Sequence, residues 1–240
     1  MIEVAGLIVV GVVTWMVASD GIWGAAQTFL CTLLAGLLAM NFFEPLANFL
    51  EGMIPRNYCD IVALLGLFTA LTFGLRMGAE HLAPSYIQVL PMLDTAGRYV
   101  FGAITGYLTM AIMLTALHTA PLPREFMGFK PERNNFFGGA PDRQWLGFVQ
   151  YVSEHPLAKP IFKDRFDNKD IIINHVFDGK YEKVGDMNKP YPVNIWPSFP
   201  IRYAGRRDQI DSGIAVGGAS QPVTPVAPQG GQGGTVVPNF

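Results

Sequence analysis

Four long apolar stretches fill the first half of the chain, with almost nothing polar inside them. Residues 4–19 carry no charge, and after Asp20 and Gly21 a second uncharged stretch covers residues 22–43. A third covers residues 61–78, with Asp60 at its start and Arg76 in its last turn. The fourth covers residues 99–119, where only His118 is a candidate for charge. A helix that crosses a bilayer needs about 20 mostly apolar residues, with roughly 17 to 25 tolerated. The pattern therefore predicts four transmembrane helices over residues 4–19, 22–43, 61–78 and 99–119. The first two form a tight hairpin, with Trp15 and Trp23 flanking its turn, where amphipathic rings favour the headgroup zone. A cleaved signal peptide is a poor reading of the first stretch: Glu3 stands where a basic segment belongs, and Arg56 is the first base. Helices of a large soluble core are a poor reading too, because four such stretches leave too little polar surface to cover them.

The pattern changes after residue 120. Residues 1–119 hold three Arg, no Lys and seven acids, while the other fourteen bases lie beyond them. Charged residues make up 15% of the chain, below the roughly 25% of soluble domains, and the shortage lies wholly in the first half. Residues 121–211 read as a small polar domain of mixed, partly irregular structure. Residues 142–151 begin an amphipathic helix there, and residues 171–176 suit a short strand. From residue 212 the chain is rich in Gly, Pro and Gln without a charge, and it reads as a disordered tail. The fold class expected is an all-α membrane protein: a four-helix transmembrane domain over residues 1–120, the polar domain and the tail.

Helices in lipid associate through close backbone contact at small residues. The third helix offers Gly66, Ala70, Gly74 and Gly78, each four residues apart on one face. The fourth offers Gly102 and Gly106, and these two faces are expected to pack together. The connection over residues 79–97, with Pro84 and Pro91, is expected to lie in the interface as a broken helix. Asp94 and Arg98, spaced four apart in the favourable order, are expected to form a local salt bridge at the head of the fourth helix.

The same residues carry a family resemblance. SDGIWGAAQTFLCTLLAGLLAMNFFEPLANFLEGM, residues 19–53, combines a short turn with an apolar helix and a Phe/Pro/Leu-rich exit at Phe42, Phe43, Glu44, Pro45, Leu46 and Ala47. LDTAGRYVFGAITG, residues 93–106, places Asp94 ahead of Gly102 and Gly106. In these features residues 1–120 resemble the colicin V production protein (CvpA) family. One departure is Asp20-Gly21, where members usually have Arg-Gly, so the customary basic marker of orientation is missing. The resemblance implies an integral membrane protein tied to toxin production or export and to the cell envelope. It brings no catalytic residues.

A search for chemistry finds no nucleophile elbow, phosphate loop, HExxH or dinucleotide fingerprint. The four histidines (His81, His118, His155 and His175) form no i,i+4 pair to ligate a metal. His118 suits a helix C-terminal cation, with a proton relay as the sharper alternative. Cys31 lies mid-helix and Cys59 at a helix entrance, too far apart for a disulfide. No catalytic, cofactor or metal site is expected, and no basic surplus or motif points to nucleic acid. The function expected is a non-enzymatic scaffold in the inner membrane. Its expected partners are lipids and other membrane or envelope proteins, self-association included. The alternative, a small transporter or channel subunit, needs polar residues facing the bundle interior, for which Gln27, Thr28, Asn41, Thr69 and Thr105 are the candidates. A tethered hydrolase would rest only on the polar domain. Positive-inside counting favours a cytoplasmic C-terminus. The family resemblance favours an extracytoplasmic polar domain, and that orientation is expected.

Overall fold

The protein is described by a computed structural model. It describes residues 1–83, 89–123, 126–129, 136, 138–166, 169–174, 177, 180–183, 192–195 and 199–211. The tail expected over residues 212–240 lies outside the described residues.

Four helices build the bundle: α1 (Ile2–Ala18), α2 (Gly21–Leu50), α3 (Arg56–Leu82) and α4 (Pro91–Thr119). The last three are each long and apolar enough to cross a membrane. At 1.5 Å per residue the 17 residues of α1 reach about 25 Å, at the short end of the spanning range. Large apolar side chains such as Leu7, Ile8, Leu34, Phe73 and Val100 lie exposed around the bundle. So wide an apolar belt suits lipid and not water.

The helices outrun the apolar stretches that announce them. α2 continues past Phe43 and through Pro45 to Leu50. α4 starts at Pro91, where a first-turn proline forfeits no helical hydrogen bond, so residues 91–97 belong to the fourth helix itself and not to a broken interfacial helix.

Two antiparallel helix pairs make up the bundle, α1 against α4 and α2 against α3, and they meet where α2 packs on α4. Gly102 and Gly106 lie in the first of these contacts. A Cβ on Gly106 would stand 2.7 Å from the backbone oxygen of Val10, and one on Gly102 would stand 2.9 Å from that of Thr14. The two glycines therefore receive α1, and not α3 as their spacing suggests. The α3 stripe is not a packing face within the bundle. Gly66, Gly74 and Gly78 have open space where a Cβ would be, and Ala70 is exposed. α3 instead turns Ala63, Leu64 and Phe68 inward. Larger side chains bury more apolar area than glycines do, which decides the rotation of the helix. A contrast follows. Gly106→Ala is expected to lose about 1–3 kcal/mol by overpacking against a backbone that cannot yield. Gly66→Ala is expected to leave stability unchanged or to raise it by up to about 1 kcal/mol through helix propensity. Thermal unfolding of the two purified variants checks both.

Beyond α4 come α5 (Pro141–Glu154), two antiparallel hairpins β1–β2 (Pro160–Phe166, Lys169–Asn174) and β3–β4 (Lys180–Lys183, Pro192–Ile195), and α6 (Phe199–Asp211). Helix α5 and strand β2 fall where the patterning places a helix and a strand. Neither α5 nor α6 stands apart from the membrane helices. Trp145, Leu146 and Val149 of α5 share one apolar core with Phe199 and Tyr203 of α6 and with Met40, Phe43 and Leu64 of the bundle.

Candidate functional site

Buried polar groups gather at the two ends of the bundle. At the end that carries α5 and α6, His118 sits in the last turn of α4 and is fully buried. Side chains on a helix lean toward its N-terminus, so the imidazole points down into the bundle and not out toward water. Its Nε2 lies 2.8 Å from Asp142 Oδ2, in the first turn of α5. Its Nδ1 lies 3.2 Å from Arg207 Nη2 of α6. Arginine has donors only, so Nδ1 must accept, and the imidazole proton resides on Nε2, which donates to the carboxylate. One neutral ring thus joins a buried carboxylate to a buried guanidinium and ties three helices together. Phe129 and Phe199 pack edge-on to the same ring, with centroids 5.1 and 6.5 Å away. His118 is therefore not a free cation at a helix C-terminus.

A second tie lies beside it. Arg206 Nη1 donates to Asp60 Oδ2 at 2.6 Å, and Nη2 donates to the carbonyl of Arg56 at 3.2 Å, fixing α6 to the N-terminal end of α3. The ring of Trp145 enters the groove between α2 and α4, which only Gly36 leaves open. A Cβ there would stand 2.7 Å from Ile112 Cδ1 and 2.9 Å from Trp145 Cζ2.

At the opposite end Arg76 organises the α1–α2 turn. Its Nη1 donates to Gln27 Oε1 at 2.9 Å, and its Nη2 lies 3.3 Å from Asp20 Oδ2 and 3.1 Å from Glu80 Oε1. These groups border a cavity of about 370 Å³. Glu80 thus bonds to Arg76 one turn back, while its neighbour His81 is exposed. Close by, Gly21 has φ +73, and the Ile22 N–H that follows donates to Asp94 Oδ1 at 2.9 Å. That carboxylate caps α2 from α4, because the N-cap residue Asp20 makes no capping bond of its own. Asp94 is accordingly not in a salt bridge with Arg98. Arg98 lies half-buried with its guanidinium 5.3 Å over the Tyr99 ring.

The polar residues named for a transport path do not converge. Thr28, Thr69 and Thr105 each bond to the carbonyl one turn back on their own helix, as does the Asn41 amide. Asn41 and Thr69 face outward, and Gln27 is held by Arg76. Among the described residues no three His, Cys, Asp or Glu side chains are placed to hold a metal ion. Cys31 and Cys59 are both buried free thiols. Patterning marked the Asp94, Gly102 and Gly106 positions but missed Asp142 and Arg207 as partners of His118. The one usable signal was a histidine beside two buried threonines, Thr115 and Thr119, in an apolar helix end that lacks any local counter-charge.

A family model described as Colicin V production protein matches residues 2–134, more than half of the chain and all four bundle helices. No curated protein and no solved structure matches.

Proposed function

The chain belongs to the colicin V production protein family and is a multi-pass membrane protein, and from that premise we propose that it acts as a non-enzymatic scaffold. On this reading it sits in the bacterial inner membrane, serves toxin production or export or the upkeep of the envelope, and holds its polar half outside the cytoplasm. The observation that carries the proposal is the seating of α5 and α6 in the bundle end, through Trp145, the His118–Asp142–Arg207 cluster and the Asp60–Arg206 pair. A polar domain so fixed is a platform of set orientation and not a tethered module. Its partners are membrane or envelope proteins or a second copy of the chain. The outward small-residue stripe of α3 suits close approach by another helix. To test it, Gly74→Cys in a Cys31→Ser, Cys59→Ser background is oxidised in native membranes. A discrete cross-linked species is expected. Turnover of a substrate by the purified protein, or solute flux in proteoliposomes that Gln27→Leu abolishes, would sink the scaffold reading.

A further inference from the structure

The cavity at the α1–α2 turn is not used by the scaffold role, and its lining is unusual for a bundle otherwise packed with apolar side chains. Its volume of about 370 Å³ is at the small end of ligand pockets. Arg76 stands six residues from the end of α3, about 9 Å at 1.5 Å per residue, which puts its guanidinium near the boundary between headgroups and hydrocarbon. Two of the lining side chains, Arg76 and Gln27, bring donors. Gln27 accepts from Arg76 through Oε1, so its amide NH₂ remains a donor. Trp23 lines the cavity with its ring, its indole N–H being buried away from the accessible surface. The rim is acidic: the Asp20 and Glu80 side chains are 46% and 58% exposed, while that of Arg76 is only 19% exposed.

Charge counting then narrows the ligand. A simple anion drawn to Arg76 would meet two carboxylates, and a simple cation drawn to those would meet Arg76. A group with an inner anion and an outer ammonium satisfies both. Gly24 lets the Asp20 side chain and the Arg76 guanidinium close in on α2, since a Cβ there would stand 2.6 Å from Asp20 Cβ and 3.4 Å from Arg76 Nη2. Phe73 and Met77 lie exposed on α3 beside this end, an apolar track for acyl chains. We propose that this cavity binds the headgroup of an amine-bearing phospholipid, with its phosphate on the Arg76 and Gln27 donors and its ammonium between Asp20 and Glu80.

Native mass spectrometry of the full-length protein, released from micelles holding equal phosphatidylethanolamine and phosphatidylglycerol, tests this. The wild type is expected to retain one phosphatidylethanolamine in preference to phosphatidylglycerol. Glu80→Gln, at an exposed carboxylate, is expected to cut that preference by about fivefold, the most that a half-exposed ion pair supplies, with an unchanged unfolding midpoint. Gln27→Leu is expected to weaken retention of both lipids alike. Free O-phosphoethanolamine that displaces the lipid at millimolar concentration supports recognition through the headgroup. Equal retention of the two lipids by the wild type, or an intact preference in Glu80→Gln, overturns the proposal. Binding of free O-phosphoethanolamine without binding of the lipid also overturns it, and points to a soluble zwitterion.

Discussion

Trp145→Ala is expected to destabilise the protein by about 3–5 kcal/mol, the range for removing a fully packed large aromatic. The ring is 3% exposed and wedges between Ile112 of α4 and the bare backbone at Gly36 of α2. Its loss would open a void that neither flanking helix can close, since each is held by its other partners. The indole N–H is buried without a hydrogen-bond partner among the described residues, an unmet donor that offsets part of what the ring contributes. Trp145→Phe keeps much of the packing and removes that donor, so it is expected to cost less than half as much as the alanine. Equilibrium unfolding in mixed micelles gives both values. A Trp145→Ala change within about 0.5 kcal/mol of wild type, as for surface substitutions, would show that α5 is not seated in the bundle.

The second large effect is expected at Asp142. Its alanine variant strips the His118 N–H of its acceptor and removes the buried carboxylate on the far side of the ring from Arg207. Breaking a buried, hydrogen-bonded charge arrangement costs about 3–5 kcal/mol. Asp142→Asn keeps an oxygen to accept from Nε2 but loses the charge, so its cost is expected to fall between wild type and alanine. The order wild type, Asn, Ala in unfolding free energy is the signature of the cluster. Equal stability of all three would mean that the contact carries no energy. Because the cluster joins α4, α5 and α6, Asp142→Ala is also expected to expose the chain between α4 and α5 to protease before the bundle unfolds.

The four helices and the polar half are legible in sequence because a bilayer imposes a length and a polarity on whatever crosses it, whatever the helix packs against. Rotation and partnership are not legible in this way. Gly66, Ala70, Gly74 and Gly78 have the same four-residue spacing as Gly102 and Gly106, yet only the latter pair is enclosed. The difference lies in the neighbours: Val10 and Thr14 on α1 present backbone to Gly102 and Gly106, while α3 has Leu64 and Phe68 to bury on its other side. Local spacing also misled at Asp94. A base four residues along suggested Arg98, but an uncapped helix start 72 residues away made the stronger claim on the carboxylate. The same holds for Asp60 with Arg206, 146 residues apart, and for His118, whose partners lie 24 and 89 residues away. Such pairs leave no periodic trace, because each residue alone reads as an ordinary helix-end charge.

Sidedness is the most direct test of a platform fixed to one end of a four-span bundle. Single cysteines at Ser19, Gly52 and Leu157, all exposed, are placed in a Cys31→Ser, Cys59→Ser background. A membrane-impermeant thiol reagent is then applied to right-side-out and inverted vesicles. Gly52 between α2 and α3 and Leu157 after α5 are expected to label from one side, and Ser19 at the α1–α2 turn from the other. Labelling of Leu157 from the same side as Ser19, or of Gly52 and Leu157 from opposite sides, would contradict both the four spans and the seating of the polar half.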